Sequence, residues 1–132
     1  RATIMKVLDT TFLVDLLKNR PEVNKVINTS EVLATTIINM YEIMVGLFHE
    51  GVSHDRYFEI MDIFRNISLL PLDEDAVVQA AKISAEMMKK GTAIEDKDCL
   101  IAGIALSRGI SIIITKNKKD FERIKGIKVE TY

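Results

Sequence analysis

The chain has 132 residues, 48% of them apolar and 28% charged, which suits one domain rather than two and gives enough buried surface to hold a core without staples. A formal net charge of −1 excludes nucleic-acid binding by bulk charge, so any such binding rests on a local basic patch or on a metal. One cysteine, Cys99, excludes an intrachain disulfide and is compatible with a reducing setting.

The elements alternate. Residues 3–8 read as a short apolar strand and 10–18 as a helix, with Pro21 suited to the first turn of another short helix. Residues 31–35 form a second strand, and Thr35 or Thr36 caps a long helix to about His49, with Gly51 beyond it. An amphipathic helix over 55–66 leads to a strand over 67–70, ended by Pro71. Asp73 caps a helix over 74–90 that stops at Gly91. Asp96 or Asp98 begins the next helix, which ends at Gly109, and 110–114 is a β-branched strand. Asn117 caps a short helix to Ile124, and 127–130 is a last strand. This alternation predicts an α/β domain with a mostly parallel sheet and helices on both faces. No signal-like segment opens the chain and no apolar run is long enough for a bilayer, so a cytoplasmic protein without a membrane partner is expected. Residues 1–4 read equally as appended residues or as read-through ahead of a start at Met5.

In an open parallel sheet, sites form beyond the carboxyl ends of the strands. Asp9 follows the first strand at that end; Thr115 and Asn117 follow the strand over 110–114, with Asp120 close behind. Asp98 lies near the start of a helix and hence at the same rim. Glu42 lies about 9 Å down its helix from that rim, with a side chain that leans back toward it. Glu42 interrupts a run of apolar residues that reads as a helix buried nearly all round, where an unpaired carboxylate is costly. Asp9, Glu42, Asp98 and Asp120 are therefore expected to converge. Such a cluster repels itself unless a cation resolves the conflict, and its oxygen donors suit Mg²⁺ or Mn²⁺. Each acid also has a plainer reading: Asp9 as a helix cap, Asp96 and Asp98 as helix N-terminal charges, Glu42 as one half of an ion pair, Asp120 on a solvated turn.

Four segments carry a family resemblance. Val7-Leu8-Asp9-Thr10-Thr11-Phe12-Leu13 resembles the opening of PIN domains. Asp98-Cys99-Leu100-Ile101-Ala102-Gly103-Ile104-Ala105 resembles their third-acid segment, Thr115-Lys116-Asn117-Lys118-Lys119-Asp120-Phe121 resembles their closing segment, and Tyr41-Glu42-Ile43 stands where the second acid is expected. The match covers residues 5–129, and the overall shape is most similar to the small VapC-type toxins. Asn117 stands where many relatives carry Asp, Gly103 replaces the more usual Ala as a small change for packing, and Asp96 is an extra acid.

The resemblance implies a PIN-like three-layer α/β/α sandwich over the single domain 1–132. It also implies metal-dependent hydrolysis of RNA phosphodiesters by the toxin of a toxin–antitoxin pair. Asp9, Glu42, Asp98 and Asp120 would be both catalytic residues and ligands of one or two Mg²⁺ (or Mn²⁺) ions. Thr11, Asp96, Thr115 and Asn117 would position carboxylates or phosphate. Lys116, Lys118, Lys119 and Arg123, with Lys125 and Lys128 nearby, would grip RNA, against the plain reading of a solvated basic surface. A cognate antitoxin and a homodimer are the expected partners, with the apolar helices over 37–48 and 56–64 as candidate surfaces and core packing as the competing reading. The alternative function is a catalytically silent PIN-like binding module. Zinc at His49, His54 and Cys99 makes a poor site, and no histidine stands near Cys99 to activate it. A receiver domain lacks its paired acids here, and Thr11 stands where an Asp-x-Asp phosphatase needs an acid.

Overall fold

The computed structural model describes residues 4–29 and 31–132. In chain order the elements are β1 (Met5–Leu8), α1 (Thr10–Leu17), a 3₁₀ turn (Pro21–Val23), α2 (Asn24–Ile27), β2 (Val32–Thr36), α3 (Ile37–Glu50) and α4 (His54–Arg65). They continue with β3 (Ser68–Leu70), α5 (Glu74–Lys89), α6 (Asp96–Ser107), β4 (Ile112–Ile114), α7 (Lys118–Phe121) and β5 (Lys128–Glu130). The five strands form one sheet in the order β3-β2-β1-β4-β5, and every neighbouring pair is parallel. The expected α/β sandwich is thus what forms, with a sheet that is wholly rather than mostly parallel. Thr3, expected in the first strand, lies outside the described residues.

Side chains alternate across a strand, and here they divide the core into two layers. Val7, Ala34 and Ile113 lie in register on β1, β2 and β4 and join one buried cluster with Ala76 and Ile83 of α5, Ile101, Ala102 and Ala105 of α6, and Phe121. Leu8 and Ile114, one position further along, face the other cluster with Phe12, Leu13, Ile43, Ile60 and Phe64 from α1, α3 and α4. Burial of each such side chain contributes roughly 1.5–3 kcal/mol, so a one-residue slip of β1 would lose both layers at once.

The helix ends follow local chemistry. Thr36 caps α3 by accepting the N–H of Asn39, and the Asn39 amide oxygen accepts the Thr36 N–H in return. At the end of α6, Gly109 takes a positive φ of 73°, its N–H reaches the Leu106 carbonyl and the Ile110 N–H reaches that of Ala105. This Schellman closure uses the Ile110 N–H, which is why β4 begins at Ile112 and not at residue 110.

Two expectations need correction. Gly103 is not a minor packing change from Ala. A Cβ there would fall 2.6 Å from the Ala80 nitrogen and 2.8 Å from the Ala76 carbonyl, so only glycine permits the close approach of α6 to α5. Nor is α3 buried all round. Ile37, Tyr41, Val45 and Phe48, spaced four, four and three residues apart, form an exposed stripe, with Tyr41 69% and Phe48 62% accessible. No helix among the described residues is long and apolar enough to cross a membrane.

Candidate active site

From β1 the chain builds outward to β2 and β3, then returns to the other side of β1 for β4 and β5. The reversal leaves a crevice at the carboxyl ends of β1 and β4, the usual position of a site in such sheets. Asp9 and Thr115 stand there, one residue past each strand, and the Asp9 N–H still bonds the Ile114 carbonyl at 3.0 Å.

Asp9 occupies the cap position of α1 but its side chain makes no capping bond. It is 5% exposed, and its carboxylate accepts the Thr115 hydroxyl at 2.7 Å and the Asn39 amide at 3.0 Å. The hydrogen inventory then fixes a relay. Thr115 gives its only hydroxyl proton to Asp9, so the 3.1 Å contact between the Thr11 and Thr115 hydroxyls has Thr11 as donor. Thr11 in turn accepts the Lys116 N–H at 3.1 Å, and Thr115 also accepts the Asn117 N–H at 3.0 Å. Thr11, Thr115 and Asn117, three of the expected positioning residues, are thereby joined to Asp9, Asn117 through its backbone.

Glu42 accepts the Thr10 hydroxyl at 2.8 Å on one oxygen and an ion pair from Lys97 at 2.9 Å on the other. Asp98, in the first turn of α6, is 3% exposed, and its Oδ2 is buried with no hydrogen-bond partner among the described residues. Burial, the neighbouring Asp120 carboxyl and the charge of Asp9 push its carboxyl up to about 7. Asp9 is raised too, mainly by burial, with the Glu42 charge acting in the same direction. Asp120 is countered by the Arg123 guanidinium at 2.6 Å. The four acids thus share one electrostatic neighbourhood. Among the described residues, however, no three Asp, Glu, His or Cys side chains close into a ready-made metal cage. Hydroxyls, one amide and two basic residues space and counter them instead.

The remaining candidates separate. Asp96 is exposed, as a helix N-terminal charge would be, and no hydrogen bond or ion pair among the described residues joins it to the four acids. Lys116 is drawn away from the crevice: its ammonium pairs with Asp15 at 3.3 Å and Glu22 at 3.2 Å and lies 4.8 Å from the Tyr132 ring centroid. Lys118 and Lys119 are exposed on α7. His49 and His54 are exposed as well, while Cys99 is buried with its thiol pushed up by that burial, which suits neither a zinc site nor a nucleophile.

Three residues at the site escaped the sequence reading. Asn39 is fully buried, and its amide nitrogen donates to both Asp9 and Thr10 at 3.0 Å. It was the other polar break in the apolar run of α3, which was the available signal. Thr10 was hidden in the Asp-Thr-Thr opening. Lys97 had no local signal, because its partner Glu42 lies 55 residues away.

A PIN domain model matches residues 6–127. The chain is 33% identical over 129 residues to the tRNA(fMet)-specific endonuclease VapC of Salmonella typhimurium, covering 95% of this chain and 96% of that one. It is 29% identical to Ribonuclease VapC1 of Methanocaldococcus jannaschii, covering 95% and 85%. The crystal structure of DNA-bound VapBC from Salmonella typhimurium contains a chain that superposes with a TM-score of 0.84 at 30% identity, covering 98% of both. The chain therefore belongs to the PIN-domain family and, within it, to the VapC ribonucleases.

Proposed function

We propose that this chain is a divalent-metal-dependent endoribonuclease and the toxin of a toxin–antitoxin pair, with Asp9, Glu42, Asp98 and Asp120 holding one or two Mg²⁺ or Mn²⁺ ions. The observation that carries the metal is the unpartnered Oδ2 of Asp98, a buried carboxylate oxygen beside two further acids. Burying such an atom without a partner costs about 1–3 kcal/mol, and a cation removes that cost. All four candidate ligands offer oxygen, as Mg²⁺ and Mn²⁺ prefer. When bound, the ion supplies Lewis acidity and an activated water for attack on phosphorus.

The chain's own residues prepare for this. Thr115 and Asn39 hold both oxygens of Asp9, so its carboxylate is oriented before any ligand arrives. Thr10 does the same for one oxygen of Glu42. Asp98, raised by burial and by its acidic neighbours, would give up its proton on taking a cation. Lys118 and Lys119, exposed on the helix that carries Asp120, supply charge for RNA phosphates, while Lys116 is held by Asp15 and Glu22. RNA as substrate favours the cytoplasm as the place of action, and we read residues 1–132 as one PIN-like domain.

The substrate to try first is an initiator tRNA, since the Salmonella relative is named for cleavage of tRNA(fMet). An antitoxin is the expected protein partner, as in the VapBC complexes that match this fold. A groove of about 550 Å³ runs from Thr10 and Glu42 between α1, α3 and α4, lined by Val14, Leu17, Ile43, Leu47 and Val52, and has the apolar character of a peptide-docking channel. The exposed stripe of Tyr41, Val45 and Phe48 is the candidate face for a homodimer.

The test is cleavage of tRNA by the purified chain with Mg²⁺, with Mn²⁺ and with chelator, beside Asp9→Asn. Metal-dependent cleavage lost in the variant supports the reading. Equal cleavage by the variant, or none by the wild type under any metal, points to the silent binding module.

A further inference from the structure

The two innermost acids and the two outer ones are treated differently. Asp9 is bound by a hydroxyl and an amide, and Asp98 is left with a bare oxygen. Glu42 and Asp120 each carry a basic partner, Lys97 and Arg123. Arg123 lies three residues from Asp120 on the same turn, an ordinary local pair. Lys97 is different. It reaches from the first turn of α6 to Glu42 on α3, beside Asp98 in sequence, and occupies the oxygen that Thr10 leaves open.

We infer that Lys97 is an exchangeable internal counter-ion: it occupies the Glu42 Oε2 position in the metal-free protein, yields it to the incoming cation, and then serves the phosphate of the bound RNA. The inference rests on the metal-dependent nuclease reading above. Two features carry it. Lys97 is 45% exposed, so its ammonium can leave without stranding a buried charge. It has a second carboxylate within reach, Glu95 Oε2 at 3.8 Å, which is itself 67% exposed and holds the ammonium at the rim once Glu42 is taken.

An ammonium and a divalent ion cannot both sit against one carboxylate oxygen without strong repulsion. Lys97 therefore opposes metal binding. Once displaced, it stands at the rim beside the exposed Glu95, where its charge meets the negative phosphates of the substrate and favours RNA binding. The two effects have opposite sign, which a merely structural lysine would not produce. A structural lysine would lower stability and weaken both.

The experiment is a calorimetric titration of Mn²⁺ into the metal-free wild type, Lys97→Met, Lys97→Arg and Asp98→Asn, followed by RNA binding in the presence of Ca²⁺ as a non-catalytic ion. Lys97→Met is expected to bind Mn²⁺ about three- to tenfold tighter and RNA about three- to tenfold more weakly. Lys97→Arg keeps the charge and should stay near wild type in both. Unchanged or weaker Mn²⁺ binding by Lys97→Met, while Asp98→Asn loses it, overturns the role of Lys97 and leaves the metal site standing. Absence of Mn²⁺ binding by the wild type overturns both.

Discussion

The Thr115 hydroxyl donates to the Asp9 carboxylate at 2.7 Å across 106 residues of sequence, tying the end of β4 to the end of β1. Because Thr115 gives its one proton there, Thr11 and the Asn117 N–H are oriented behind it, and with Asn39 of α3 the acid at the centre of the crevice inherits its position from three segments. Thr115→Val removes the donor and keeps the shape. Metal-dependent cleavage should fall about 10- to 100-fold, the usual cost of losing a group that orients a metal ligand, while Thr115→Ser retains most of it. Initial cleavage rates at matched metal concentration check this.

Asp98 makes the stability of the metal-free protein depend on pH. Its carboxyl is held near 7 in the folded chain, against about 3.9 when unfolded. Between these values the folded state keeps a proton that the unfolded state has lost, so stability declines as pH rises from about 4 to about 7. Asp98→Asn should flatten that slope and stabilise the metal-free chain by roughly 1–3 kcal/mol at neutral pH, while abolishing metal binding. Urea titrations at several pH values without metal provide the readout. A variant less stable than wild type at pH 7.5 would contradict the assignment.

Gly103 packs α6 against the backbone of α5 with no room for a methyl group. Gly103→Ala should cost about 1–3 kcal/mol despite the better helix propensity of alanine, because the obstructing atoms are main chain and cannot swing aside. Thermal melting in the presence of chelator isolates this from any effect on the metal.

The basic residues of the closing segment divide by their contacts: Lys116 is paired, while Lys118 and Lys119 are exposed. Lys118→Ala combined with Lys119→Ala should weaken RNA binding and lower its salt dependence, with no loss of stability. Lys116→Ala should instead loosen the cluster of Asp15, Glu22 and Tyr132 and lower the melting temperature. Filter binding over a salt series, read beside melting curves, separates the two groups.

Much of this arrangement was written locally. The β-branched strand ending at Ile114, the caps at Thr36 and Asp73 and the stops at Gly91 and Gly109 set the alternation, and alternation sets a parallel sheet with a crevice at the ends of β1 and β4. Asp9 and Thr115 followed from their places after strands. What escaped depends on contacts between remote elements. The apolar run of α3 read as buried on every side, but composition does not say which stripe faces the core, and Tyr41, Val45 and Phe48 remain outside. The run of lysines after Thr115 read as one RNA-facing patch, although acids from α1 and the 3₁₀ turn claim Lys116. The pairing of Lys97 with Glu42 and the intolerance at Gly103 arise only when helices distant in sequence meet.

A cation shared at the crevice can be located directly by anomalous scattering from crystals grown with Mn²⁺. The prediction is a peak at about 2.1 Å from carboxylate oxygens of Asp9 and Asp98, with the bare Oδ2 of Asp98 as a ligand. A well-ordered crevice with no peak, and with Asp98 Oδ2 still unpartnered at saturating Mn²⁺, would contradict it.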